Sequence, residues 1–342
     1  MSLKKITLGF FILILPIVCG ADTLQKDETV LFFPSTATQQ ADGSWQAPIH
    51  HWVFEKEDNG IFRKMTQKAF SEVLESLGVS EDQAKSPITH QRLMWFLVDN
   101  QWRKSINIAI DGKLQKLKYS KANGHGITQI KLSKNHKAGS WASFKVEDPF
   151  LRDFNGKLQF IPEVGVSVIS DIDDTVKISN VLDKKELIKN TFVNPYQVTK
   201  GFPNYYRYLK QEGAYFHYVS ASPWQLYPSL KPFMEKNYPQ GSYSLRNFRL
   251  KDSSLFKFLK PSSDYKIKAI SKIIQRYPKH SYILIGDSGE HDPEVYAEIY
   301  KRFPDKIKAI KIRKVKNSDL NAKRFANTFS SVPNAVWRLV GY

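Results

Sequence analysis

Two aspartates that follow an apolar run constrain the fold of this chain more than any other feature. The run Val164–Ile169 has the composition of a buried strand, and Asp171 and Asp173 come shortly after it. Carboxylates this close together at the end of a buried strand repel each other, so a cation is expected between them. Mg²⁺ prefers oxygen ligands and is commonly held by one or two carboxylates. The alternative is an ordinary surface turn, for which Asp-Asp-Thr is suitable.

The same two carboxylates suit phosphoryl transfer. Asp171, at the end of the strand, could attack a phosphate held by the metal and form an aspartyl-phosphate. Asp173, brought back beside it by the turn, could protonate the leaving oxygen and later activate water. Both are therefore candidate catalytic residues and candidate Mg²⁺ ligands.

Three further polar positions end later strands or open a helix. Ser220 ends the β-rich run that begins at Ala214, and Asp287 follows the apolar run Tyr282–Ile285. Lys266 opens a segment with helical spacing of isoleucines. A hydroxyl can donate to a phosphoryl oxygen, an ammonium can neutralise the transition state, and an acidic strand end can complete a metal shell. Each position alone is ordinary, but their joint order favours a phosphoryl-transfer site.

That order resembles the haloacid dehalogenase superfamily of phosphatases, and within it the phosphatidate phosphatase family typified by the yeast actin-patch protein, a relative of the lipins. The resemblance spans roughly residues 160–315. It implies Mg²⁺-dependent dephosphorylation of phosphatidate to diacylglycerol, with related lipid phosphates as further substrates. One departure is Ala221, where the family more often has Asn. The motifs that carry the resemblance are Ser170–Val181, Phe216–Leu226, Pro239–Ser242 with Leu245-Arg246, Tyr265-Lys266 and Ile285–Tyr296.

Carried over motif by motif, the resemblance implies a role for each candidate residue. Asp171 would be the nucleophile, and Asp173 the general acid and base. Ser220 would bind the phosphoryl group, and Lys266 would stabilise its charge. The expected metal ligands are Asp171, Asp173, Asp287 and Asp292, and the expected substrate-binding residues are Thr175, Ser222 and Arg246.

Alternating strand and helix patterns predict an α/β catalytic domain over residues 156–342, with a parallel sheet of the Rossmann-like haloacid dehalogenase type. The intervals from Thr175 to Ser220 and from Ser220 to Lys266 are too short for a large cap domain. An open site of this kind favours a phosphate on a large object, such as a bilayer, over a small metabolite. Helices are expected at Phe202–Gln211, Trp224–Lys236 and Pro293–Arg302.

The first half of the chain, residues 22–155, predicts a mainly β, sandwich-like accessory domain. Helical spacing predicts an insert from about Lys64 to Leu77 and a second helix over Ile88–Leu97. A hinge is expected near Asn155-Gly156. This half offers no catalytic constellation, so presentation of the catalytic domain to a partner or lipid is the expected role. Its hairpin signals are Asp42-Gly43, Asp111-Gly112 and Asn123-Gly124.

The N-terminus has the pattern of an export signal. Lys4 and Lys5 precede the apolar run Ile6–Val18, and the small residues Cys19-Gly20-Ala21 follow. We expect residues 1–21 to be a signal peptide and the mature chain to be periplasmic or secreted, with peripheral membrane association as a further expectation. An uncleaved anchor and lipidation of Cys19 are the alternatives. Cleavage would leave a mature chain without cysteine and so without disulfides.

The net charge of +18, from 51 basic and 33 acidic side chains, favours anionic partners. We expect phosphatidate or another anionic lipid phosphate as ligand and an anionic membrane surface as partner. Nucleic acid is not expected, because zinc-finger cysteines, a helix-turn-helix cue and an aromatic RNA-binding signature are missing from the sequence. Basic and aromatic residues intermix at Phe256–Lys260, and residues 237–263 could form a flap that brings Arg246 and Lys251 to the phosphate.

Three functions are compatible with this sequence. The first is an exported Mg²⁺-dependent lipid phosphate phosphatase. The second keeps the chemistry but acts on soluble phosphomonoesters or phosphoproteins. The third is a non-catalytic phosphatidate-binding module, which the presence of both Asp171 and Asp173 disfavours. The sequence does not indicate an oligomeric state.

Overall fold

A computed structural model describes residues 23–56, 78–247, 263–315 and 322–341, together with a few helical positions between 68 and 76. The expected signal peptide, half of the helix predicted over residues 64–77, Lys251 and the run Phe256–Lys260 lie outside the described residues. Within the described ranges, no helix is long and apolar enough to cross a bilayer.

The described residues of the first half form one nine-stranded sheet with a hydrophobic core of its own. Strand β3 organises it, because β1, β2, β4 and β7 all pair with β3. Apolar side chains at alternate positions, such as Trp45, Ala47 and Ile49, are buried in this core. The predicted mainly β character of this region is confirmed, and its strands form one continuous sheet. Its strands are β1 (Glu28–Phe33), β2 (Ser35–Gln39), β3 (Trp45–Glu55), β4 (Asp99–Asn100), β5 (Asn107–Ile110), β6 (Lys113–Lys116), β7 (His125–Leu132), β8 (Trp141–Val146) and β9 (Asn155–Ile161).

The hinge expected near Asn155-Gly156 falls inside the accessory sheet. Strand β9 pairs in parallel with β2 and antiparallel with β8, so both residues belong to the first half. Gly156 lies against the ring of Phe144, and a Cβ there would be 2.1 Å from the ring. The glycine that suggests a hinge therefore serves close packing, and the change of sheet comes after Ile161.

Within residues 78–98, the structure has two short helices, α1 (Glu81–Ala84) and α2 (Pro87–Met94), each capped by a serine hydroxyl that accepts a backbone N–H. Helix α2 confirms the helix expected from Ile88. Its Arg92 donates to the carbonyl oxygens of Thr191 and Asn194, at 3.0 and 2.8 Å, and so ties this region to the catalytic half.

Within the described part of the second half, six strands form a fully parallel sheet in the order β12-β11-β10-β13-β14-β15. The last four residues of the central strand β10 are buried, so both faces of the strand are covered there, which suits its apolar run. This architecture confirms the predicted α/β class. The strands are β10 (Val164–Ser170), β11 (Tyr215–Pro223), β12 (Ser242–Arg246), β13 (Lys279–Asp287), β14 (Ile307–Arg313) and β15 (Trp337–Val340).

Helices connect these strands, and the described connections are short, as expected for a domain without a large cap. The segment between β10 and β11 contains only α3 (Lys184–Ile188), which continues as a π-helical turn (Lys189–Val193), and α4 (Phe202–Gln211). The helix expected from Trp224 begins with a 3₁₀ turn (Trp224–Leu226) before α5. The remaining helices are α5 (Tyr227–Asn237), α6 (Ser263–Arg276), α7 (Asp292–Arg302) and α8 (Ala322–Thr328), with a 3₁₀ turn at Pro304–Lys306.

The two sheets share a hydrophobic core. Phe33, Trp52 and Phe54 of the accessory sheet pack in one cluster with Val168 and Phe216 of the catalytic sheet. This contact fixes the accessory domain beside the strands that carry the candidate site.

Candidate active site

The carboxyl ends of three adjacent strands bring the candidate residues to one edge of the parallel sheet. Asp171 follows β10, Ser220 lies near the end of β11, and Asp287 ends β13. The backbone N–H of Asp171 donates to the carbonyl oxygen of Ile285 at 2.9 Å, which continues the β10–β13 pairing to the site. Ligands of open parallel sheets bind at this edge.

Three buried carboxylates form a cluster there: Asp171, Asp287 and Asp292, each with an oxygen within 4.8 Å of the others. Asp171 Oδ2 and Asp287 Oδ2 accept no hydrogen bond from the described residues. Gly286 makes the cluster possible, because a Cβ at this position would lie 2.4 Å from Asp292 Oδ2. Only glycine therefore lets the start of α7 approach the end of β13 this closely.

Lys266, in the first turns of α6, reaches into the same cluster. Its Nζ lies 2.8 Å from Asp171 Oδ1, 2.6 Å from Asp292 Oδ1 and 3.3 Å from Glu290 Oε2. Burial opposes its charge, but the surrounding carboxylates raise the pKa of Lys266 well above its ordinary value. The ammonium is therefore a permanent charge beside Asp171.

One lysine does not balance this set of carboxylates. Burial raises the pKa of Asp171 and of Asp287 well above the usual range, and the charge of Asp292 raises both further. Burial likewise raises the pKa of Glu290, a residue that the sequence reasoning did not single out. A hard divalent cation would supply the missing positive charge and use the two unpartnered oxygens. The residues present fit such an ion.

Asp173 makes a separate set of contacts. Its Oδ2 accepts hydrogen bonds from Ser220 Oγ at 3.0 Å and Ser222 Oγ at 2.8 Å. Its Oδ1 accepts one from Ser179 Oγ at 2.7 Å and lies 2.9 Å from Lys177 Nζ. Both carboxylate oxygens are thus fully engaged by cationic and hydroxyl donors.

The surroundings of Asp173 differ from those of Asp171. Burial alone would raise the pKa of Asp173, but the Lys177 ammonium and the hydrogen bonds from Lys177, Ser179 and Ser222 lower it below its usual value. The cluster of possible metal-binding carboxylates contains Asp171 but not Asp173. Asp173 is an expected metal ligand, and that role stays a prediction. The structure places its carboxylate among serine hydroxyls and Lys177.

Lys177 and Ser179 are site residues that the sequence reasoning missed. Lys177 Nζ donates to Ser179 Oγ at 2.5 Å and lies 5.2 Å from the centre of the Tyr196 ring. Both residues belong to the quoted motif Ser170–Val181. The available signal was a lysine and a serine shortly after an acidic strand end. They lie close enough in sequence for a tight loop to fold them back onto that end.

Asp174 shapes that loop. It adopts a left-handed backbone conformation, with φ of 53°. Its Oδ1 accepts the backbone N–H groups of Ser179 and Asn180, each at 2.9 Å, and its Oδ2 accepts that of Val181 at 2.6 Å. Asp174 therefore positions Ser179 and does not itself face the cluster.

The three expected substrate-binding residues lie in different surroundings. Ser222 is at the site, in contact with the second aspartate of the motif. Thr175 is fully buried, and its hydroxyl has no hydrogen-bond partner among the described residues. Arg246 ends β12, and its charge partly offsets the burial that raises the pKa of Tyr265. The structure therefore brings Ser222 into direct contact with Asp173.

Comparison with known proteins agrees with this geometry. The model of the family described as phosphatidate phosphatase APP1, catalytic domain, matches residues 166–314. These residues belong to the APP1 catalytic-domain family. The APP1-type domain thus begins within β10, ends after β14 and includes every carboxylate of the cluster.

Two curated relatives are similar to this chain. Phosphatidate phosphatase APP1 of Saccharomyces cerevisiae is 36% identical over 176 residues, which are 50% of this chain and 29% of the yeast protein. An uncharacterized protein of Schizosaccharomyces pombe is 33% identical over 196 residues, 56% of this chain and 32% of the relative. The chain therefore spans about a third of the length of these relatives. Among solved structures, the HAD domain of the effector Lem4 from Legionella pneumophila aligns at a TM-score of 0.30 and 12% identity, over 49% of this chain and 96% of that domain, too weakly to support an argument.

Proposed function

We propose that this chain is an exported, Mg²⁺-dependent phosphatase that hydrolyses phosphatidate or a related lipid phosphate through an aspartyl-phosphate intermediate. The observation that carries the proposal is the pairing of two carboxylate environments at one sheet edge. Asp171 lies in a buried cluster of carboxylates beside Lys266, and Asp173 is held separately by Ser220 and Ser222. Membership of this region in the APP1 catalytic-domain family supports a lipid phosphate as substrate.

Asp171 is the proposed nucleophile. Its Oδ2 has no hydrogen-bond partner within the described residues, and its Oδ1 lies 2.8 Å from Lys266 Nζ. The carboxylate forms a bond to phosphorus as the bond between phosphorus and the glycerol oxygen breaks. Lys266 stabilises the charge that spreads over the phosphoryl oxygens. Mg²⁺, held by Asp171, Asp287 and Asp292, would polarise the phosphoryl group.

Asp173 is the proposed acid and base. In the substrate-free arrangement it is ionised, because Lys177 and three serine hydroxyls stabilise its charge. When Ser220 and Ser222 turn to donate to phosphoryl oxygens, Asp173 loses two hydrogen bonds and its pKa rises. Asp173 then takes up a proton from solvent and donates it to the leaving glycerol oxygen. The resulting carboxylate takes a proton from the water that attacks phosphorus and releases phosphate from Asp171.

Features outside the carboxylate cluster support the proposed substrate and location. The short segment between β10 and β11 leaves the site open to a phosphate presented by a bilayer. The excess of basic residues favours an anionic surface. The basic and apolar pattern of residues 1–21 supports export and hence a substrate outside the cytosol.

Phosphate release by the purified mature chain tests the proposal. Phosphatidate in mixed micelles and a soluble aryl phosphate are supplied in parallel, each with Mg²⁺ and with EDTA. We expect release that requires Mg²⁺ and favours the lipid. Metal-dependent release from the soluble ester alone would keep the chemistry and reject the lipid substrate, and lipid binding without release would indicate a binding module.

Lys177 is predicted to set the working pH of Asp173. Lys177→Met keeps the length of the side chain but removes the charge 2.9 Å from Asp173, so burial then raises the pKa of Asp173. We expect kcat to fall roughly 10²-fold or more and the pH profile of kcat/KM to shift towards higher pH. Lys177→Arg, which keeps the charge, should retain the wild-type profile. An unshifted profile in Lys177→Met would show that Lys177 has only a structural role.

A further inference from the structure

A groove lies between the accessory sheet and the catalytic domain, with a volume of about 450 Å³. Helix α6 and the strands β11 and β12 form one side, and residues around β1, β3 and β7 form the other. We call it the seam groove. Its volume is that of a small-ligand site.

The cations of the seam groove are arranged in a row. Lys268, Lys272 and Arg276 line it from α6 at intervals of one helical turn, and Lys121 lines the opposite side. The described lining residues include no Asp or Glu. An uncompensated row of this kind attracts an anion.

The rest of the lining is amphipathic. Aromatic and apolar side chains, including Phe33, Trp224 and Tyr243, are interleaved with hydroxyl and amide groups such as Ser244 and Asn123. Ile127, which also lines the groove, is 54% exposed. Such a lining suits a ligand that carries charge, hydroxyl groups and an apolar part.

The seam groove adjoins the active site but is separate from it. Tyr265, which lines the groove, immediately precedes Lys266, whose side chain points into the carboxylate cluster. Trp224 comes two positions after Ser222, which contacts Asp173. A phosphate at the carboxylate cluster therefore leaves Lys268 and Lys272 available for a second anionic group.

We propose that the seam groove binds the phosphodiester headgroup of an anionic phospholipid that is not the substrate. The cations bind the phosphodiester, the hydroxyl and amide groups bind the headgroup alcohol, and Ile127 lies next to the bilayer. A compact cavity with one short row of cations suits a headgroup better than it suits a nucleic acid, which needs an extended basic track. Such binding would hold the open site at the membrane between turnovers.

Binding to vesicles tests this proposal independently of catalysis. Phosphatidylglycerol is a suitable probe because its phosphodiester is not a phosphomonoester substrate. Vesicles of phosphatidylcholine with and without phosphatidylglycerol are titrated with the mature wild type, Lys268→Gln/Lys272→Gln and the matched variant Lys113→Gln/Lys145→Gln. The matched pair removes the same charge from exposed positions that do not line the groove.

We expect the groove variant to bind phosphatidylglycerol vesicles roughly thirtyfold more weakly and the matched variant to lose less than twofold. Asp171→Asn should bind these vesicles as the wild type does, so a failure of the proposed chemistry would leave this result unaffected. Equal binding by both lysine double variants would overturn the proposal. The proposal would also be overturned if the groove variant bound the vesicles as the wild type does but lost binding to soluble glycerophosphoglycerol or to an oligonucleotide.

Discussion

Replacing Asp171 by Asn is expected to reduce phosphate release from phosphatidate by about 10⁴-fold or more while leaving the protein folded. Asn has nearly the shape of Asp, and the residue is 1% exposed, so packing changes little. The amide nitrogen of Asn is not a nucleophile. Of the carboxylates in the cluster, Asp171 is the one that has an unpartnered oxygen and also lies directly after β10. The residual rate should come from positioning and charge stabilisation alone.

The same variant separates chemistry from stability. The charge of Asp171 contributes to the raised pKa of Asp287, so removing it relieves repulsion within the buried cluster. Without Mg²⁺, we expect the free energy of unfolding of Asp171→Asn to equal or exceed that of the wild type. Asp305→Asn, at an exposed position, controls for the substitution itself. Turnover of Asp171→Asn at the wild-type rate would reject the nucleophile assignment.

The parts of the site that lie at strand ends could be predicted from the sequence. Apolar runs followed at once by Asp171, Ser220 and Asp287 predict a shared sheet edge, because parallel strands align their carboxyl ends. Lys266 and Asp292 follow the same logic, since each lies at the start of a helix that packs beside this edge. The fold class could be predicted for the same reason.

The contacts made where the loop after β10 folds back on itself could not be predicted from the sequence. The meeting of Lys177 and Ser179 with Asp173 depends on the left-handed conformation of Asp174 and its three backbone hydrogen bonds. Neither the spacing of the apolar residues nor the composition of the segment predicts that turn. Gly156 likewise lies in a strand and not in a hinge because it packs against the ring of Phe144 in the neighbouring strand.

Acidification from pH 7 to pH 5 is expected to lower the free energy of unfolding by about 6 kcal/mol through three buried histidines, about 2 kcal/mol each. Burial lowers the pKa of His51 to about 4 and the pKa of His125 and His217 to about 3. In the unfolded chain these pKa values return to about 6.5, so the unfolded state binds more protons below that pH. Their contribution to stability is therefore complete above about pH 6.5 and is lost as the pH falls towards the folded-state values. A loss of this size is comparable to the total stability of a typical domain.

His51→Leu isolates one of these contributions. Both ring nitrogens of His51 lack a hydrogen-bond partner within the described residues, so Leu removes a titrating group without breaking a hydrogen bond. Denaturant unfolding between pH 7 and pH 5 should show an acid-induced loss about 2 kcal/mol smaller in this variant than in the wild type. Taking the difference between the two proteins cancels the contribution of the carboxylate cluster, whose raised carboxyl pKa values act in the opposite direction. His90→Leu, at an exposed position, controls for the substitution. If His51→Leu lost stability as steeply as the wild type, protonation of the buried histidine would not be the cause.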